Sequence, residues 1–260
     1  MKKVFLFSVM ALIGCVAFSQ SKPKFVDLVM GNELKVSKKE SMISIFASDE
    51  TGVYALKSDG KGFYGLNSNF IVQHYDNKMK LTHQEQIDLK YQDKDKDLEG
   101  TIDFGDNIIF LTSFINQKTK MKYLFMQSLN RNTLVLNNDI KKIGEINFEG
   151  ETKFNSGGFG FDISQDSSKL LVYYNKPYQK KENEEYGFTV FDVAINQLWS
   201  KEVVLPYSDK LFMVSDYIVD DDGNVHLLGR LYKDKIKNAK GGKPNYKYLL
   251  LSYYSDEAEH

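Results

Sequence analysis

The sequence predicts an all-β fold made of repeated four-stranded antiparallel sheets, and three observations predict it. The first is a recurring order of polar turn followed by apolar strand. The first strand residue after each such turn is Val53, Ile108, Leu170 and Val225, at intervals of 55, 62 and 55 residues. A period of about 50 residues per four-stranded unit is that of propeller blades. The second is composition: 18 Phe and 16 Tyr against one Trp and four Pro suit a pleated surface, on which aromatic and β-branched side chains pack well. The third is size, since 260 residues of which 42% are hydrophobic can bury a sizeable core.

The clearest unit is DYIVDDDGNVHLLGRLY, residues 216–232. Asp220, Asp221, Asp222, Gly223 and Asn224 separate two apolar runs, and Asp-Gly and Gly-Asn favour the positive φ of a tight hairpin. Beyond the turn, Val225, Leu227, Gly229 and Leu231 fall on one face and His226, Leu228, Arg230 and Tyr232 on the other, at the period of two of a strand. The same grammar appears in ASDETGVYALKS, FGDNIIFLTS and ISQDSSKLLVYY.

Taken in order, the units span about 42–90, 98–147, 157–206 and 211–260. The first has strands at 42–47, 53–58, 70–75 and 79–89; the second at 101–104, 108–114, 123–128 and 134–146. The third has strands at 159–163, 170–174, 187–192 and 198–205. The fourth shows only 212–219, 225–232 and 246–254. An unfinished unit leaves a bare sheet edge, which soluble proteins normally cover. An extended N-terminal segment within residues 20–40, with its apolar runs at 25–36, is one source of the missing strand. A partner strand is another, and a longer parent protein is the favoured third.

Residues 1–19 read as an export signal: Lys2 and Lys3 precede an apolar run too short to span a bilayer comfortably, and Ala17 and Ser19 are small residues suited to cleavage. Without them the chain has no transmembrane segment. Leu12-Ile13-Gly14-Cys15 also resembles a bacterial lipobox, which would anchor the chain through Cys15, although Val16, Ala17 and Phe18 continue the apolar run where a polar tether belongs. With one Cys, the mature chain has no disulfide and no thiol chemistry. Charge is balanced, 34 basic against 35 acidic side chains, so nucleic acid is not implied.

ISQDSSKLLVYY resembles the strand turn of TolB-like and WD40-like propeller repeats, with Ser167 where that pattern has Gly. VDDDGNVHLLGR is similar to a repeat of secreted bacterial propellers, with His226 where Tyr is usual. The whole chain also looks like uncharacterised exported proteins of Bacteroidota. The resemblance implies architecture and says little of activity.

No cofactor, catalytic or metal motif is found. Asp93, Asp95 and Asp97 imitate half a calcium loop, but Leu98 stands where the sharp turn needs Gly and Phe104 where a bidentate Glu belongs. Lys94 and Lys96 add repulsion, so a solvated connection is expected. Asp220–Asp222 are explained by hairpin chemistry, and His74, His83, His226 and His260 lack ligand spacing. The glycines of Ser156-Gly157-Gly158-Phe159-Gly160 fit no phosphate loop, because no helix follows; they are expected to relieve crowding. Asp103, Asp162 and Asp216 recur near the ends of the innermost strands, and an alternative function, a glycosidase-like hydrolase, would use them as carboxylates lining a central channel.

The loops at 59–66, 115–122, 175–185 and 233–245 are expected together on one face, opposite a face of tight turns. Tyr178, Lys180, Lys181, Lys235, Lys237 and Lys240 are the candidate interaction residues there, because binding resides on loops held by a rigid scaffold. The reading of the sequence is therefore an exported, non-catalytic binding or scaffolding module of propeller type, with an unknown protein or glycan as partner and possible strand pairing through the incomplete blade as a further route to association.

Overall fold

The computed structural model describes residues 40–58, 70–236, 239–240 and 242–255. The export signal, the Cys15 anchor, the 25–36 segment and the 59–66 loop lie outside the described residues. Within them the chain forms four sheets in series. The first is β1 (Ser41–Asp49), β2 (Gly52–Ser58), β3 (Phe70–Asp76) and β4 (Leu81–Ile87). A short ribbon, β5 (Lys90–Tyr91) and β6 (Lys94–Asp95), leads to the second: β7 (Asp97–Phe104), β8 (Asn107–Asn116), β9 (Met121–Leu129) and β10 (Lys141–Asn147). The third is β11 (Gly158–Ile163), β12 (Lys169–Asn175), β13 (Asn183–Asp192) and β14 (Gln197–Ser208). The fourth joins β15 (Phe212–Val219), β16 (Val225–Tyr232) and β19 (Tyr246–Tyr253), with a ribbon of β17 (Ala239–Lys240) and β18 (Lys243–Pro244) in between. Each sheet is a meander in chain order, and the fourth has three strands among the described residues. The fold is all-β and propeller-like, as the repeat spacing predicts.

One hairpin chemistry builds the repeat. Asp76, Asp192 and Asp220 each accept, through Oδ1, the backbone N–H groups two and four residues on. The backbone closes the same loop each time, as Asp220 N donates to Asn224 O and Gly223 N to Asp220 O. The fourth loop residue then takes positive φ: 58° at Met79, 62° at Ile195 and 86° at Gly223. An Asx-type turn thus replaces the glycine requirement at two of the three hairpins.

Packing between sheets explains why the second strands read as unbroken apolar runs. Ile108 and Phe110 of β8 join Leu56 and Val72 in a core between the first and second sheets. The intervening Ile109 and Leu111 join Leu170 and Val172 in a core between the second and third. On β12, Leu171 then points the other way, into a core with Phe188, Val190, Val219, Val225 and Leu227 between the third and fourth. A strand sandwiched on both faces needs apolar residues at both phases, and each such side chain stabilises the fold by about 1.5–3 kcal/mol.

Several expectations are corrected. β10 begins at Lys141, not near residue 134, because Leu134 takes φ of 55° in a turn closed by Leu134 N on Asn130 O. A long connection therefore lies on the face expected to hold only tight turns. Residues 115–116 and 121–122 are strand, so the loop shrinks to a four-residue turn in which Asn116 Oδ1 accepts from Lys118 N. β13 starts at Asn183, four residues before the expected strand, which shortens the loop preceding it. Lys96 is not solvated: it is 5% exposed, donates to Gln127 Oε1 and lies 5.8 Å from the Phe125 ring centre. In the glycine-rich stretch, the crowding is real. A Cβ at Gly160 would lie 2.4 Å from the Tyr173 ring, so the glycine is the space into which that ring folds.

Candidate functional site

On the face where the third sheet's long loop emerges, a cavity of about 260 Å³ opens between sheets. Asn147 at the end of β10 and Glu149 just beyond it reach the cavity from one side, Lys176, Gln179 and Glu182 of the β12–β13 loop and Glu184 and Glu185 at the start of β13 from another, and Asp209 from the connection between β14 and β15. These three connections share a face because the second and third sheets are four-stranded antiparallel meanders.

The loop at 176–182 is held, not loose. Asn155 accepts from Tyr178 N through Oδ1 and donates through Nδ2 to Tyr178 O, both at 2.9 Å. Asp209 Oδ2 accepts from Gln179 N at 2.5 Å, and Asp209 N donates to Glu182 O at 3.1 Å. At the loop's base Lys176 Nζ meets Glu185 Oε2 at 2.6 Å. Backbone fixed on both sides leaves Tyr178, 48% exposed, presented to solvent beside the cavity.

The cavity wall contains a carboxyl pair. Glu184 sits two residues before Tyr186 and four before Phe188, on the strand phase that faces the fourth sheet. It is 9% exposed, and Asp209 lines the same cavity beside it. Burial first, and then the neighbouring Asp209 charge, push the Glu184 carboxyl up to about 8. At neutral pH Glu184 is thus a protonated acid, able to donate a hydrogen bond. Reading from the sequence missed both residues. The signal available was the spacing of Glu184 to Tyr186 and Phe188 along one face.

Of the candidate interaction residues, Tyr178, Lys180, Lys181 and Lys235 are exposed. The Lys237 and Lys240 side chains lie outside the described residues. Asn245, 2% exposed, donates to Asp234 Oδ1 and Lys235 O and so fastens the base of the 233–245 loop.

The three channel carboxylates are divided. Asp162 and Asp216 line one cavity beside β11 and β15. Asp162 Oδ2 accepts from Val219 N at 3.0 Å, linking the third sheet to the fourth. Asp103 is committed elsewhere: its Oδ1 takes Arg131 Nη2 at 2.6 Å and its Oδ2 takes Ser48 N at 3.1 Å, linking the second sheet to the first. Among the described residues, no three His, Cys, Asp or Glu side chains converge as metal ligands, and no helix is long and apolar enough to cross a membrane.

No protein-family model matches the chain, and no curated protein does. Solved structures do resemble it. The β-propeller domain of the Trilobed protease from Pyrococcus furiosus is similar over 84% of this chain and 56% of its own, at 12% identity and a TM-score of 0.42. The chain therefore spans little more than half the length of that domain. An α-L-arabinofuranosidase from Lactobacillus brevis matches 77% of this chain and 67% of its own at 12% identity, TM-score 0.37. An endo-arabinase from Bacteroides thetaiotaomicron matches 81% and 73% at 14% identity, TM-score 0.36. At these identities the likeness concerns fold alone.

Proposed function

We propose that the chain is an exported, non-catalytic binding module of propeller type, whose loop-face cavity takes a hydroxyl-rich glycan. The observation that carries this reading is the fixed loop at 176–182, which sets donors (Lys176, Gln179), an acceptor (Glu182) and the exposed Tyr178 ring on one rigid surface, with Glu149 lining the same cavity from the connection after β10. Convergent polar groups beside an aromatic face suit sugar hydroxyls and the apolar side of a pyranose. Titration calorimetry against a panel of neutral and acidic oligosaccharides tests it. Tyr178→Ala and Gln179→Ala are each expected to weaken the bound member about 10-fold, near 1.4 kcal/mol. Absence of binding across the panel, or binding indifferent to both variants, overturns it.

Hydrolysis is the second reading, favoured by the shared cavity of Asp162 and Asp216. Glu184 and Asp209 do not belong to this reading, since they line the loop-face cavity and not the one that Asp162 and Asp216 share. Product release from the same panel, abolished by Asp162→Asn and Asp216→Asn but not by Asp103→Asn, would establish it.

A further inference from the structure

We propose that the outward face of the fourth sheet is an interface with a second copy of this chain, related by a two-fold axis that runs diagonally across its strands. The inward face of this sheet is already used, with Val225 and Leu227 fully buried against the third sheet. The opposite face is also apolar, yet exposed: Ile218 is 51%, Tyr248 60% and Leu250 69% open to solvent. The strand register makes these one patch, since Leu228 lies between Asp216 on β15 and Leu250 on β19, and Arg230 lies between Met213 and Tyr248. A contiguous apolar patch on a sheet face marks an interaction site.

The charges choose the occupant. Arg230 meets no carboxylate among the described residues: Nη2 points at Met213 Sδ, its guanidinium lies 5.8 Å from the Tyr246 ring centre, and its buried Nε has no hydrogen-bond partner. Asp216, one strand over and one pair along, is bonded within this sheet only to the next residue's backbone, Tyr217 N. His226 is already occupied by Ser252 and Asp220. A diagonal two-fold through Leu228 exchanges the position of Asp216 with that of Arg230, and the position of Ile218 with that of Tyr248. Each copy then sets its guanidinium against the other's carboxylate, its Ile218 against the other's Tyr248, and Leu228 against Leu228. The same operation crosses the two sheets near a right angle, one of the two arrangements in which sheets pack face to face. A face that pairs with itself in both charge and shape is what an isologous dimer requires.

Sedimentation velocity on the purified chain tests this at neutral pH. A dimer in exchange with monomer is expected, and Leu250→Ser, at a position too open to disturb the fold, is expected to weaken it about 10-fold by removing buried apolar contact. Arg230→Glu and Asp216→Arg each place like charges across the axis, and each is expected to weaken association about 10-fold or more, while the double swap returns it to within about 3-fold of the starting value. A chain that stays monomeric up to about 100 µM, a dimer indifferent to Leu250→Ser, or a double swap no better than its singles overturns the proposal. Failure here leaves the glycan reading untouched, because the cavity lies on the loop face and not on this sheet.

Discussion

The buried Glu184 carboxyl and Asp209 line one cavity at the junction of the third and fourth sheets, close enough for the Asp209 charge to act on Glu184. Two neighbouring carboxyls, one of them buried, cannot both ionise without repulsion, so one of them keeps its proton. Glu184 is the one that burial selects. Asp209 meanwhile accepts from the Gln179 backbone, so the state of this pair bears directly on the loop that walls the cavity.

Stability is therefore expected to fall as pH rises through the Glu184 titration. Burial and Asp209 raise this carboxyl from 4.5 to about 8. Between those values the folded chain binds the proton and the unfolded chain does not, so the stabilising share is fully present below 4.5 and lost as pH climbs toward 8. Urea unfolding across this window should show a decline on the order of 2 kcal/mol. Glu184→Gln, a permanent neutral donor, should flatten it.

Lys96 gives the opposite slope in a different window. Its burial lowers the ammonium from 10.5 to about 8. Between those values the unfolded chain holds more protons, so stability rises with pH over that range. Lys96→Met should stabilise the fold by about 1–2 kcal/mol at neutral pH by removing a desolvated charge. The gain should shrink toward the alkaline limit, as chemical denaturation at three pH values will show.

These two residues also mark where the sequence is legible. Strand positions in the fourth unit follow from Asp220, Gly223 and Asn224, because turn chemistry is local and its hydrogen bonds close within five residues. Glu184 is opaque for the converse reason. It stands in a charged run that reads as loop, and its burial comes from Tyr186 continuing the strand backwards against a sheet formed later in the chain. Lys96 likewise sits among alternating charges that look solvated, and only Gln127 and Phe125, brought across from β9, show otherwise. Contacts from distant strands decide both: spacing to Tyr186 and Phe188 marks the face of Glu184 but not what covers it, and for Lys96 no local pattern marks the burial.

Asp103 acts as a clamp between sheets. Its two oxygens engage Arg131 and Ser48 N, and Arg131 also stands 3.6 Å from Asp49 and over the Tyr54 ring. Asp103→Asn should cost about 1 kcal/mol, since the ion pair is partly exposed and screened. Asp216→Asn should leave the stability of the monomer unchanged. Equal losses in thermal melts of the two variants would count against the assignment.

Gly187 should not tolerate a methyl group. It is paired opposite Tyr174 in the register of β12 and β13, and a Cβ there would lie 2.4 Å from the Tyr174 ring. The ring cannot swing away freely, because its hydroxyl donates to Glu202 Oε1 at 2.7 Å. Gly187→Ala is expected to destabilise by about 1–3 kcal/mol through overpacking. Gly158→Ala, where nothing lies within 4 Å of the added atom, is the matched control in the same unfolding assay.

Met79 should be improved by glycine. It occupies the loop position that Gly223 fills in the fourth sheet, at φ of 58° against 86°, and its side chain is 38% exposed. Holding a residue with a Cβ in the left-handed region costs about 1 kcal/mol, and little packing is lost on removing this one. Glycine's freer unfolded chain returns part of the gain, so Met79→Gly is expected to stabilise by about 0.5 kcal/mol. Met79→Val should destabilise, because branching at Cβ makes this conformation a genuine outlier. The Asp76 turn exists on both sides of that comparison, with Oδ1 accepting from Lys78 N and Lys80 N at 2.9 Å. If glycine and valine shift the urea midpoint the same way, the backbone strain assigned to residue 79 is absent and the turn rests on the aspartate alone.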